Sequence, residues 1–145
     1  MKRIFTSVFI CTMFSLFISC SSSNDSKNQS CDKKSKIIST ETYNNLTSNY
    51  FMITSVALNE DCLDVTISSS GCSGSTWQMN LFSNNNFPDS FLLQRNLKVQ
   101  LDNPEACLAV VSKTVSFDLT PLQVSGQREI RFNLEGWEQQ IVYNY

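Results

Sequence analysis

The chain of 145 residues contains no histidine. That absence removes the Ser-His-Asp and Cys-His arrangements of nucleophilic catalysis, and every histidine-ligated metal site. The tight glycine spacing of a phosphate-binding loop is also missing. Carboxylates are then the residues left that could move protons. Glu60, Asp61 and Asp64 stand together in one segment, and Glu135 and Glu138 in another. A hydrolase of the paired-carboxylate kind needs two such groups facing across a cleft. Calcium favours oxygen clusters, yet the spacing of Glu60, Asp61 and Asp64 matches no calcium loop. Acidic residues in turns ordinarily accept hydrogen bonds from nearby backbone, and both groups read that way. No catalytic residue, metal or cofactor is therefore expected.

The other reactive residues are six cysteines, and their positions carry an address. Cys20 directly follows an apolar run, Ile4 to Ile18, that opens with Lys2 and Arg3. Ser19 precedes it, and Ser21-Ser22-Ser23-Asn24-Asp25-Ser26 follows. A basic start, an apolar middle and a small residue at the cut make a secretory signal peptide. The run is broken by Thr6, Ser7, Thr12 and Ser15 and is shorter than the ~20 apolar residues of a spanning helix. With a cysteine at the cut, the segment resembles a bacterial lipoprotein signal, in which that cysteine carries lipid. Residues 1–19 then leave, and Cys20 is the lipidation site. The expected location is the cell envelope, lipid-anchored, at the outer membrane.

Cys11 leaves with the signal. Cys31, Cys62, Cys72 and Cys107 remain, an even number in an exported chain, which predicts two disulfides with three possible pairings. Cys62 and Cys72 flank Leu63-Asp64-Val65-Thr66-Ile67, which alternates like a strand. Ten extended residues span ~33 Å, too far for a disulfide, whose Cα atoms lie within ~7 Å. Cys72 with Cys107 and Cys31 with Cys62 is the preferred arrangement. Cys62 with Cys107 remains open.

Without Lys2 and Arg3, nine basic residues face thirteen acidic ones. From Glu41 onward the count is five against eleven. An acidic domain without a basic stripe does not fit nucleic-acid binding. Lys27, Lys33, Lys34 and Lys36 lie in a Ser- and Asn-rich stretch with almost nothing apolar, and residues 20–40 read as a flexible, solvated tether. The domain is expected over residues 41–145, with a short helix or an irregular lead-in near Lys36 to Asn49.

From Tyr50 the pattern has period two. Leu63, Val65 and Ile67 alternate with polar neighbours, as do Trp77, Met79 and Leu81, then Leu97, Val99 and Leu101. Val115, Phe117 and Leu119 follow, then Ile130, Phe132 and Leu134, and finally Ile141, Tyr143 and Tyr145. Two denser runs, Tyr50 to Leu58 and Leu108 to Val111, suit central strands. Asn59-Glu60-Asp61, Ser70-Gly71-Cys72-Ser73-Gly74, Asp102-Asn103-Pro104-Glu105, Gly126 and Gly136 supply breaks. About eight short, half-polar strands predict an all-β, antiparallel β-sandwich of immunoglobulin-like architecture. A true immunoglobulin domain is not indicated. Cys62, Trp77 and Cys107 suggest one, but Glu105 stands where its tyrosine belongs.

Over residues 61–145 the chain resembles a group of small uncharacterised lipoproteins of Bacteroidota. The resemblance rests on Asp61-Cys62-Leu63, Gly71-Cys72, Ala106-Cys107 leading into Ser116-Phe117-Asp118-Leu119-Thr120-Pro121-Leu122, and Asn133-Leu134-Glu135-Gly136-Trp137. The group's glycine-rich turn carries a polar residue or histidine after its cysteine; here it reads Cys72-Ser73-Gly74-Ser75. The resemblance implies no activity.

For recognition, the long polar segment Asn84 to Leu92 holds Phe87, Pro88 and Phe91, and Phe87 and Phe91 are the candidate binding residues. The alternative is that both rings fold back over the core. Taken together, the expectation is a lipid-anchored envelope protein acting as an accessory or binding module. Its partners would be the membrane, through the lipid, and an envelope protein or glycan. A small carboxylate hydrolase and a proteinase inhibitor are the alternatives.

Overall fold

A computed structural model describes residues 30–87 and 92–145. Nine strands are present there: β1 (Lys33–Lys34), β2 (Lys36–Ile38), β3 (Met52–Asn59), β4 (Cys62–Gly71), β5 (Gln78–Asn84), β6 (Gln94–Asp102), β7 (Ala109–Asp118), β8 (Glu129–Leu134) and β9 (Ile141–Asn144). A short helix, α1 (Thr40–Asn44), follows β2. Its first turn is capped by the Ser39 hydroxyl, which accepts from the Thr42 N–H. A 3-10 turn, Thr120–Leu122, links β7 to β8.

The strands form two sheets, one ordered β1-β7-β4-β3 and the other β2-β5-β6-β8-β9. The alternating side chains explain why they close on each other. Leu63, Val65 and Ile67 of β4 are fully buried, as are Met79 and Leu81 of β5, Leu97 of β6, Phe117 of β7, Ile130 and Phe132 of β8, and Tyr143 of β9. All belong to one apolar core between the sheets, with Trp77 at one end. Their sequence neighbours Asp64, Asn80, Lys98, Asp118 and Arg131 are only partly covered, as period two requires.

The all-β sandwich is what forms, with differences from the antiparallel order expected. Three pairings are parallel: β1 with β7, β2 with β5 and β6 with β8. After β6 the chain crosses to the other sheet as β7, so β8 returns running the same way as β6. The domain, expected from residue 41, already includes Cys31: Cys31 is bonded to Cys62, Asp32 exchanges hydrogen bonds with Ser116, and β1 and β2 pair with a strand in each sheet. Ser35 between them is buried, and its hydroxyl donates to the Asp118 carbonyl at 2.6 Å. Strands of two and three residues are too short to show a period. Ala109 to Val111 and Val115 to Asp118 belong to one strand rather than two; β7 is an inner strand, but β1 pairs only with its last two residues, and Leu108 and Val110 are 91% and 83% exposed. Tyr50 to Leu58 is not central, since β3 is a sheet edge.

Turn connections set the two ends of the sandwich. At one end lie the β3–β4 hairpin, where Glu60 takes a φ of 52°, the β5–β6 connection and the segment after β7. At the other lie Gly71 to Trp77, Asn103 to Leu108, the β8–β9 turn and residues 47–52 leading into β3. β4 joins the two ends, and its ten residues from Cys62 to Gly71 span ~30 Å.

Candidate functional site

The chain enters the sandwich at the Cys62 end. Cys31 is bonded to Cys62, with Cα atoms 5.6 Å apart. The second disulfide, Cys72–Cys107, with Cα atoms 4.9 Å apart, staples the opposite end. Each staple therefore fixes one end of β4. The Cys62 end is called proximal below, and the Cys72 end distal.

The distal end is rigidly built. Gly71-Cys72-Ser73-Gly74 is a run of small residues that can turn successive N–H groups to one side, a backbone nest for an anion. The Glu105 carboxylate occupies it. Its Oε2 accepts from the N–H groups of Cys72, Ser73 and Gly74 at 2.5, 2.9 and 3.0 Å. Its Oε1 accepts from the Thr76 hydroxyl at 2.9 Å. The N–H groups of Gly74 and Ser73 are the main cause holding this carboxyl down at about 2. The carbonyls of the same loop face the other way, and the Lys113 ammonium donates to those of Gly74 and Trp77 at 2.8 and 2.9 Å. Gly71 must be glycine, since a Cβ there would meet Glu105 Oε2 at 2.7 Å and the buried Trp77 ring at 2.8 Å.

Residues 47–49 lie along β6 at this end. The Asn49 N–H donates to the Leu101 carbonyl at 2.9 Å, and Gln100 Nε2 donates to the Thr47 carbonyl at 3.0 Å. Between this segment and β5 lies an open polar cleft of about 480 Å³, lined by Thr47, Asn49, Gln78, Asn80, Gln100 and Asp102 among others. Past Asn49 the surface turns apolar. Tyr50 is 81% exposed and Met52 59%. Met52 lies opposite Ser68, which lies opposite Ser112, and Ser70 lies opposite Val110. The Tyr50 carbonyl accepts from the Ser69 hydroxyl, which sets Tyr50 beside the same part of β4. Small serines of β4 therefore form a floor. Tyr50 and Met52 rise on one side, and Val110 with Leu108 on the other. Large apolar side chains thus stand exposed on a backbone held by the nest and the disulfide.

Among the carboxylates named from sequence, Glu60, Asp64 and Glu135 each have a separate structural place. Glu60 is the left-handed turn residue, Asp64 accepts from Asn59 Nδ2 at 2.7 Å, and Glu135 pairs with Lys98 at 3.2 Å. That Glu135 charge, second to burial, pushes the Tyr43 hydroxyl up to about 12. Asp61 instead shares a small proximal hollow of about 250 Å³ with Asp118, Lys34 and Thr120. Each of these two carboxylates has a local structural partner. Asp118 Oδ1 accepts from the Thr120 N–H and hydroxyl at 2.9 and 2.7 Å, starting the 3-10 turn. Asp61 accepts from the Tyr143 hydroxyl, which itself accepts from Gln123 Nε2 at 2.7 Å. Burial, and then that bond to Asp61, raise the Tyr143 pKa. Among the described residues no group of three or more acidic or cysteine side chains could hold a metal.

Of the recognition residues named from sequence, Phe91 and the lipidation site Cys20 lie outside the described residues. Phe87 is at the proximal end, 42% exposed, with the Arg95 guanidinium 4.2 Å from its ring centre. Arg95 is buried and donates to the Asn84 carbonyl at 3.2 Å. The distal surface was not legible in the same way. Leu108 to Val111 reads as a continuous apolar run, and only its pairing with β4 shows which side chains face out. The small-residue loop from Gly71 to Gly74 is a signal that could have pointed to the nest.

The described residues form a disulfide-stapled all-β sandwich. No family model matches the chain, and no curated protein matches it. Among solved structures it is similar to a protein of unknown function, DUF1344, from Bacteroides vulgatus. The TM-score is 0.53 and the identity 18%, over 78% of this chain and 56% of that one. At that identity the likeness is one of fold. This chain spans little more than half the length of that neighbour.

Proposed function

We propose that this protein is a lipid-anchored module of the cell envelope that binds a partner through its distal end. The anchor rests on Ser19-Cys20 after the apolar run. The binding role is carried by one observation, the polarity of the domain. The chain joins at Cys31–Cys62, and the exposed Tyr50, Met52, Leu108 and Val110 sit ~20–30 Å away toward the far end of β4. An anchored domain of this build turns its apolar residues away from its own membrane and toward a partner. The distal nest, the Lys113 bonds and the second disulfide hold that surface in shape before anything binds, which lowers the ordering cost of association.

Two measurements test the proposal. Labelling with a fatty acid should mark the wild-type chain and not Cys20→Ala; equal labelling would remove the anchor. A photo-crosslinking residue placed at Val110 in intact cells should capture partners that one at Ser116, near the proximal end, does not. Equal capture from both positions would remove the distal binding role.

A further inference from the structure

A sandwich has four sheet edges, and this one treats them unequally. Edge strands expose unpaired N–H and C=O groups, and proteins blunt them by making them short, charged or bulged. Here β1, β2 and β9 are short, at two, three and four residues. β1 and β2 also carry Lys33, Lys34 and Lys36. β3 is different. It is eight residues long, Met-Ile-Thr-Ser-Val-Ala-Leu-Asn, and contains no charged residue and no proline. Its one irregularity is the register shift between Ile53 and Ser55. Beyond that shift, Ser55 to Asn59 run in regular register with β4. Ala57 and Ser55 are exposed on the outer face, while Val56 and Leu58 are only partly covered on the inner face.

We propose that β3 is a self-association edge, at which two copies of this chain pair antiparallel about a two-fold axis and join their four-stranded sheets into one of eight strands. The occupant is a second copy because the strand is its own complement. An uncharged strand meets an uncharged strand, so no like charges oppose one another in any register. Face alternation requires the axis to pass through a residue, so that outer residues meet outer residues. The register proposed has it at Val56, because that sets the small Ser55 opposite the small Ala57 on the outer face and Val56 opposite Val56 of the other copy on the inner one. Small side chains on the outer face let the strands reach backbone hydrogen-bonding distance, and the two valines cover each other on the inner face. Strand pairing alone buries a surface of roughly 27 Å by 10 Å on each copy, about 540 Å² in total and well below the ~1,200 Å² of a stable interface. The dimer is therefore a weak one, which concentration on a membrane surface would favour.

Charge substitutions at the paired outer positions test the register. The full chain, in nonionic detergent, is followed by sedimentation velocity from micromolar to millimolar concentration. The wild type should pass from monomer to dimer. S55K/A57K sets lysine against lysine across the axis and should weaken the dimer on the order of tenfold or more. S55K/A57E sets lysine against glutamate twice and should dimerise as well as the wild type or better. Thermal unfolding of each variant at low concentration confirms that both still fold. A wild type that stays monomeric throughout overturns the proposal. So does a dimer that the two double variants affect equally, because positions 55 and 57 would then not face each other across the axis.

Discussion

Phe132 and Arg131 are neighbours in β8 that face opposite sides of their sheet, so the pair separates core from surface in one experiment. Phe132 is completely buried, and its ring lies 6.0 Å from that of Tyr143 in a stacked arrangement. An aromatic side chain of this kind buries about 150 Å² or more, and at about 25 cal/mol per Å² that is close to 4 kcal/mol. Phe132→Ala also leaves a cavity between two tightly packed sheets, within the range of about 3–5 kcal/mol for such truncations. Arg131 is partly exposed. Its Nε lies 3.1 Å from Glu129, with side-chain exposures of 32% and 45%. Surface ion pairs contribute about 0–1 kcal/mol, so Arg131→Ala should cost no more than about 0.5 kcal/mol after solvent screening. Urea unfolding followed by tryptophan fluorescence measures both. With a slope of about 1.5 kcal/mol per molar urea, Phe132→Ala should lower the midpoint by about 2–3 M and Arg131→Ala by a few tenths. Equal shifts from the two variants would refute the assignment of faces, and with it the sandwich core.

Further outcomes are expected at the distal staple. The Cys72–Cys107 bridge spans 35 residues, so replacing both cysteines by serine should cost about 4 kcal/mol by the chain-entropy account, read as a fall in urea midpoint. A loss below about 1 kcal/mol would mean that the unfolded chain is already constrained there. The Glu105 carboxyl is held at about 2 in the folded chain against its ordinary 4.5, so its contribution is fully present above pH 4.5 and is lost as the pH falls toward 2. Glu105→Gln should melt below the wild type at neutral pH, and the gap between their Tm values should close across that acid window. A gap independent of pH would show that the nest does not depend on the charge of its occupant.

The strands with alternating side chains were legible because each buries one face. Leu63, Val65 and Ile67, or Ile130, Phe132 and Leu134, state both the element and the face that packs. Three parts were not legible. β1 and β2 are lysine-rich and too short to repeat, and what places them is the Cys31–Cys62 bond and the buried Ser35, both long-range. Pairing direction is a property of connectivity, so the parallel β6–β8 contact follows from β7 crossing to the other sheet and from no residue within β6 or β8. The distal surface escaped because an exposed Val110 and a buried Val115 look alike in sequence; their register opposite Ser70 and Val65 tells them apart.

The Cys31–Cys62 bond has a mechanical consequence. A pull on the chain from its N-terminal side would, without that bond, load β1 and β2 first. Strands of two and three residues at sheet edges open one hydrogen bond at a time, as a zipper does. The disulfide passes the load instead to the start of β4, which is flanked by β3 on one side and β7 on the other. Tension along β4 shears many hydrogen bonds at once, so the domain should bear a load at its point of attachment that its edge strands alone would not.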